Sequence, residues 1–120
     1  MSSKIYTLRA DKQHPLKDVC AKLKSEMDKK LGADLCADIC RTENDSQIRM
    51  LAFECFYLHM GGFASLGILL IENSREQTAD VVGYGGDSII RGANKDLAKK
   101  AVQILGELGF TVLQEKECVS

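Results

Sequence analysis

Tryptophan is absent from this sequence, proline occurs once, and histidine occurs twice. A single proline excludes a Pro-rich linker, and two histidines leave little material for histidine chemistry. Long apolar runs are also lacking. The longest, FASLGILLI at residues 63–71, is far shorter than the roughly 20 residues that a membrane-spanning helix needs. We therefore expect no membrane association.

A large charge excess is missing too, because the net charge is −1. Proteins that bind nucleic acid through its phosphates need many cationic contacts, so we expect no nucleic-acid partner. The charge is uneven, since residues 1–32 hold eight basic and four acidic side chains. This Lys-rich segment is either the solvated face of a helix or a docking surface for an acidic partner.

The first residues, MSSKIYTLRADKQ, lack the apolar stretch of a secretory signal, and we expect a cytoplasmic protein. Five cysteines are then expected to stay reduced, and an odd number does not suit a closed disulfide framework. With 45% hydrophobic and 28% charged residues among 120, the composition is that of one globular domain.

Two segments carry helical periodicity. Within residues 15–31, apolar side chains recur every three or four positions, Pro15 suits the first helical position, and Gly32 suits the stop. Residues 94–108 repeat the pattern, with Asn94 as the expected N-cap and Gly109 as the end.

The residue patterns of the remaining segments predict strands. Residues 4–9, 35–41, 47–60, 64–72, 78–90 and 110–117 alternate or are rich in β-formers, with turn residues between them. The resulting order is β-α-β-β-β-β-α-β. We expect one two-layer α+β domain over residues 1–120, with two helices on one face of a curved antiparallel sheet.

Residues 48–71 are apolar on both faces of the predicted sheet. Met50, Ala52 and Phe56 share one parity, whereas Leu51 and Phe53 share the other. An antiparallel sheet with one wet face should alternate apolar and polar residues, and two helices cover only one face. The second face therefore needs a cover, and a homodimer is the simplest one. A ligand or a closed internal cavity are the alternatives.

A zinc site at Cys36, Cys40, Cys55 and His59 has the right ligand types. Residues four apart on a strand are, however, separated by about 13 Å, so neither Cys36 with Cys40 nor Cys55 with His59 closes on one ion. We expect no metal and no cofactor. Cys55 beside His59 also provides a possible nucleophile pair, and a turn or surface histidine is the plainer interpretation.

Glu54 stands out because it interrupts an apolar strand. Burial would raise the pKa of its carboxyl group. The alternatives are that Glu54 faces water or pairs with Arg49 or Arg41.

The stretch VVGYGGDSIIRG at residues 81–92 is glycine-rich, but it fits neither the P-loop nor the dinucleotide fingerprint. Glycines within strands mark bulges or bends, and Gly61, Gly62 and Gly67 precede this group. We therefore expect a strongly curved sheet whose concave face could hold a small ligand. The candidate ligand-binding residues are Tyr84, Asp87, Ser88 and Arg91.

The run from FECFYLHMGGFASLGILLIE through ADVVGYGGDSII to the last helix resembles a family of short bacterial proteins catalogued as a domain of unknown function. The resemblance implies a small, stand-alone bacterial α+β domain. It brings no catalytic residues with it.

These observations favour a non-enzymatic cytoplasmic dimerising domain that binds a small molecule or a protein partner. One alternative is a small enzyme that uses Cys55 and His59, or Tyr84, Asp87 and Ser88. The other is a sensing or regulatory domain of a bacterial signalling system, with the Lys-rich first helix as its docking face.

Overall fold

The computed structural model describes residues 2–11, 14–57, 62–85 and 93–119. Two helices and six strands follow one another in the predicted order. The elements are β1 (Ser2–Asp11), α1 (Leu16–Leu31), β2 (Asp34–Glu43), β3 (Ser46–Tyr57), β4 (Gly62–Glu72), β5 (Glu76–Tyr84), α2 (Ala93–Glu107) and β6 (Thr111–Val119).

All six strands form one open, curved antiparallel sheet with the spatial order β2-β3-β4-β5-β1-β6. Strands β2 to β5 form the predicted meander, because each pairs with its successor in the chain. Strand β1 then pairs with β5, and β6 pairs with the far side of β1. The sheet therefore joins the two ends of the chain at one edge.

Both helices pack on one face of the sheet, against each other and against its central strands. The predicted apolar stripe of α1 is confirmed, since Leu16, Val19, Cys20, Leu23 and Met27 are all buried. On β4 every second residue is buried, in the run Ala64, Leu66, Ile68 and Leu70. Apolar side chains of helices and sheet thus form one core.

The helix ends follow the predictions with small shifts. Pro15 precedes α1 rather than starting it, and its carbonyl accepts hydrogen bonds from the N–H groups of Asp18 and Val19. Gly32 ends the helix in the left-handed conformation, with φ of 60°. The second helix begins at Ala93, so the expected N-cap Asn94 lies inside it, and the side chain of Asn94 lies outside the described part of the chain.

The sheet is irregular at places other than its glycines. Register shifts occur between Thr7 and Leu8 in the β1–β6 pair, and between Leu35 and Ala37 in the β2–β3 pair. The pairing of β4 with both neighbours passes through Gly67 without a shift. The sheet is curved, as expected, but Gly67 introduces no bulge, and Gly61 and Gly86 lie outside the described residues.

Candidate functional site

The sheet face opposite the helices, called the open face below, is apolar at its centre. Its side chains alternate with those of the core, so their positions follow from the strand register. Its apolar members are Ile5, Ile39, Ile48, Met50, Ala52, Phe56, Phe63, Leu69, Ile71 and Val82. Ile39 is 48% exposed, Met50 44% and Phe63 54%. The predicted two-sided apolar sheet is thus present, and no other element of the described chain covers this face.

A concavity of about 330 Å³ lies at the centre of the open face. Gly67 forms part of its floor, and no atom lies within 4 Å of the position that a β-carbon on Gly67 would occupy. Met50 and Leu69 line one side, and Val82 and Tyr84 line the other. A missing side chain on β4 therefore creates the depression.

Asp80 is the charged residue among the described residues that line this concavity. It lies on β5 between Leu69 of β4 and Thr7 of β1. The Thr7 hydroxyl donates a hydrogen bond of 2.9 Å to Oδ1 of Asp80. Thr7 therefore fixes the orientation of a half-buried carboxylate within an apolar surface.

An aromatic pair lies on the open face near the end of β3, beyond the residues that line the concavity. The rings of Phe56 and Phe63 are stacked, with centroids 4.8 Å apart. The two residues are direct cross-strand partners in the β3–β4 pair, where stacking adds to strand pairing. Because both side chains remain about half exposed, they extend the apolar area of the open face.

The structure places one of the four predicted ligand residues in this site. Tyr84 is the last residue of β5 and lines the concavity. Gly85 follows it with a φ of 82°, which only glycine adopts without strain. Asp87, Ser88 and Arg91 lie outside the described residues, as does the expected continuation of the strand to residue 90.

The cysteines lie where the strand prediction put them. Cys36 and Cys40 are exposed on β2, and four residues on a strand span about 13 Å. Among the described residues, no group of three potential metal ligands lies close enough to hold an ion. Burial raises the pKa of the Cys20 thiol, which keeps that group protonated in the core.

Cys55, the candidate nucleophile, points into the core side of β3. It is 7% exposed, and its thiol donates a hydrogen bond to the carbonyl oxygen of Leu31 at 3.4 Å. Reactive thiols are usually accessible, so this arrangement suits a structural role. Its proposed partner His59 lies outside the described residues, and the enzyme alternative stays a prediction.

A charged cluster occupies the helix side of the sheet near β2. Asp38 accepts hydrogen bonds from Lys24 at 2.8 Å and from Arg49 at 2.9 Å, and these two bonds lower the pKa of the Asp38 carboxyl group.

Glu54 lies on the open face and is exposed. The alternative that Glu54 pairs with Arg49 is wrong, because Arg49 lies on the other face.

The lysines of α1 are partly neutralised within the chain. Glu26 forms ion pairs with Lys22 at 3.3 Å and with Lys30 at 3.5 Å, and Lys24 pairs with Asp38. The Lys22 hydrogen bond is the larger cause of a lowered pKa at Glu26. These pairs favour the interpretation of a solvated helix face over that of a docking surface.

Asp80 and Thr7 are functional candidates that sequence reasoning missed. The signal was the alternation of β5, since Asp80 shares its parity with Val82 and Tyr84. The contact with Thr7 was not predictable from local signals, because it depends on the pairing of β1 with β5, and 73 residues separate the two partners.

No helix among the described residues has the length and apolar character that crossing a bilayer demands. No protein-family model matches the chain, and no curated protein matches it. The resemblance to a family of short bacterial proteins therefore stays a prediction. A function is therefore inferred from the geometry of the open face.

Proposed function

We propose that this chain is a non-enzymatic dimerising module whose open face pairs with the open face of a second copy. The observation that carries the proposal is the contiguous apolar area of β2 to β5 opposite the helices, with Ile39, Met50 and Phe63 about half exposed. Large exposed apolar patches are uncommon on monomers and usually mark interaction sites.

The area is sufficient for a specific interface. Four strands at a spacing of about 4.8 Å and nine residues of about 3.3 Å each give a projected area of about 570 Å² per copy. Two copies then bury at least about 1,100 Å², which exceeds the roughly 1,000 Å² expected of a biological interface and lies just below the range of about 1,200–2,000 Å² for stable complexes. Burial of apolar surface stabilises by about 25 cal/mol per Å², before the cost of association.

A second copy of the chain is the simplest partner for the open face, because no other molecule is required. A two-fold dimer uses the same surface patch on both copies, so one self-complementary surface is sufficient. Two sheets stacked about 10 Å apart with their apolar faces inward form a sandwich core. Arg41 on β2 and Arg9 and Glu76 on the β1–β5 side lie towards the margins of the face, whereas Glu54 and Asp80 lie within it.

Pairing through the sheet edges is less favourable. The outer strands β2 and β6 are both almost fully exposed. Charged residues recur along them, with Asp34, Asp38, Arg41 and Glu43 on β2 and Glu115, Lys116 and Glu117 on β6. Charges on edge strands oppose strand addition. The open face therefore remains the favoured contact.

The test compares three variants by light scattering coupled to size-exclusion chromatography. Ile39→Glu and Phe63→Glu place a carboxylate at two separate points of the open face. Because the two-fold axis repeats each charge in an apolar interface, both variants should give the mass of one 13.2 kDa chain. The wild type should give twice that mass.

Val112→Glu is the matched control. Val112 is 40% exposed, similar to Ile39, and it also lies on an edge strand. It pairs with Leu8, a core residue, and therefore belongs to the other face of the sheet. This variant should remain a dimer. A monomeric wild type, or dissociation caused by Val112→Glu alone, contradicts the proposal.

A further inference from the structure

The carboxylate of Asp80 is an unusual group for the centre of a buried interface. Its neighbours on the open face are Leu69 across one strand and Thr7 across the other, with Val82 next on its own strand. Burial of an ionised carboxylate without a partner is strongly unfavourable, because low-dielectric surroundings do not replace the lost hydration of the charge. A simple hydrophobic interface would favour an apolar residue here.

The hydrogen bonding of Asp80 leaves much of its capacity unused. An ionised carboxylate has about four acceptor sites. Within the described chain, the Thr7 hydroxyl donates to Oδ1, and no Lys or Arg side chain of that part forms an ion pair with Asp80. The remaining oxygen, Oδ2, is therefore available to a cation in the adjoining concavity.

We propose that the concavity binds a small organic cation, a primary or secondary amine with an apolar body, through the carboxylate of Asp80. An ammonium group supplies both the charge and the N–H donors that Oδ2 lacks. The apolar walls formed by Met50, Leu69 and Val82 accept the body of the molecule. The ligand proposal depends on the proposed dimer in one respect only. The second copy of the chain closes the concavity and excludes water.

The dimensions of the site define the shape of the ligand. Asp80 and Tyr84 lie four residues apart on β5, a span of about 13 Å. Gly67 lies across from Val82, midway between them. The ligand is therefore elongated, with its amine at Asp80 and its body extending over Gly67 towards the ring of Tyr84. The volume of about 330 Å³ lies at the small end of ligand sites.

The binding test uses three probes that share one aromatic body. They are 2-phenylethylammonium, neutral 2-phenylethanol and anionic 3-phenylpropionate. Each is titrated into the ¹⁵N-labelled protein, and the amide signals of Leu69 and Val82 are followed by NMR. The ammonium probe should bind at least about tenfold more tightly than the alcohol, because hydrogen bonds to charged groups contribute the difference. The carboxylate probe should bind most weakly.

Two substitutions test the assignment to this site. Asp80→Asn keeps the shape of the side chain and should abolish the preference for the ammonium probe over the alcohol. Gly67→Val adds a branched side chain to the floor of the concavity, in the path of the ligand body, and should weaken all probes at least about tenfold. Since the space above Gly67 is empty and valine favours strands, this variant should fold at least as stably as the wild type. Its loss of binding cannot then be ascribed to unfolding.

The two proposals can fail separately. Ile39→Glu, which lies outside the concavity, provides a monomer in which the preference for ammonium should persist with weaker affinity. A dimeric wild type that binds ammonium and alcohol equally, or binds neither, overturns the ligand proposal and leaves the dimer. A monomeric wild type that prefers the ammonium probe supports the ligand site and overturns the dimer.

Discussion

Glu72, the last residue of β4, accepts a hydrogen bond of 3.1 Å from the backbone N–H of Leu16, the first residue of α1. The same carboxylate oxygen accepts a bond of 2.6 Å from the side chain of Gln77. The start of a helix has N–H groups without partners inside the helix. Here a buried carboxylate of the sheet supplies the acceptor, so β4 anchors α1.

Glu72→Ala should therefore destabilise the fold. The substitution leaves the Leu16 N–H and the Gln77 amide without this acceptor, and each unsatisfied buried donor costs about 1–3 kcal/mol. We expect a total loss of about 2–4 kcal/mol, measured by urea unfolding at a fixed protein concentration. Glu43→Ala, at the exposed end of β2, is the control and should change the stability little. Equal effects of the two variants would exclude the anchoring role.

Leu69 and Leu70 are adjacent residues on opposite faces of β4, and they test the two faces with identical chemistry. Leu70 is fully buried in the core, so Leu70→Ala should cost about 2–5 kcal/mol at every protein concentration. Leu69 lies on the open face, half-buried. Leu69→Ala should cost clearly less in dilute solution, and its cost should grow as the protein concentration rises. Thermal unfolding over about a hundredfold range of concentration measures both effects.

Two glycines with empty space around them should respond to alanine with opposite signs. Gly32 has a φ of 60°, and no atom lies within 4 Å of the position that its β-carbon would occupy. Gly32→Ala should therefore cost about 1–2 kcal/mol through backbone strain alone. Gly106 lies within α2 and is equally unobstructed, so Gly106→Ala should stabilise by about 0.5–1 kcal/mol. A loss in both variants would contradict the assigned backbone conformations.

The ion pairs of Asp38 should make stability depend on pH. The hydrogen bonds from Lys24 and then Arg49 lower the pKa of Asp38 in the folded state, whereas its unfolded value is about 3.9. The stabilisation is then fully present above about pH 5 and is lost as the pH falls through the folded-state pKa. The gap in unfolding free energy between wild type and Asp38→Asn should shrink from pH 6 to pH 3. In a Lys24→Gln background, which removes the first bond, the gap should be smaller at pH 6.

Local sequence signals predicted most of the fold. The helical stripe ending at Gly32 and the alternation of residues in β4 and β5 depend on near neighbours, and the structure confirms both. The order of the elements and the meander followed from the turns between strands. These features require no knowledge of distant contacts.

The missed features all depend on residues distant in sequence. The insertion of β1 between β5 and β6 brings Thr7 beside Asp80, and nothing near either residue signals that contact. The register shifts at Leu35 and Thr7 arise from the pairing of strands, and no local signal in the sequence marks either position. Likewise, the composition of β3 indicated a second apolar face, but only the strand register placed Gly67 at the floor of a concavity.

The measurement that tests the central claim most directly is an isotope-filtered nuclear Overhauser experiment on a mixture of labelled and unlabelled chains. Contacts are detected only between a ¹³C-labelled methyl group of one copy and the protons of another. The open-face dimer predicts cross-copy contacts from the methyl groups of Met50 and Leu69, and none from those of the core residue Leu70. Cross-copy contacts confined to the β2 or β6 edges, or a complete absence of them at millimolar concentration, would contradict the account.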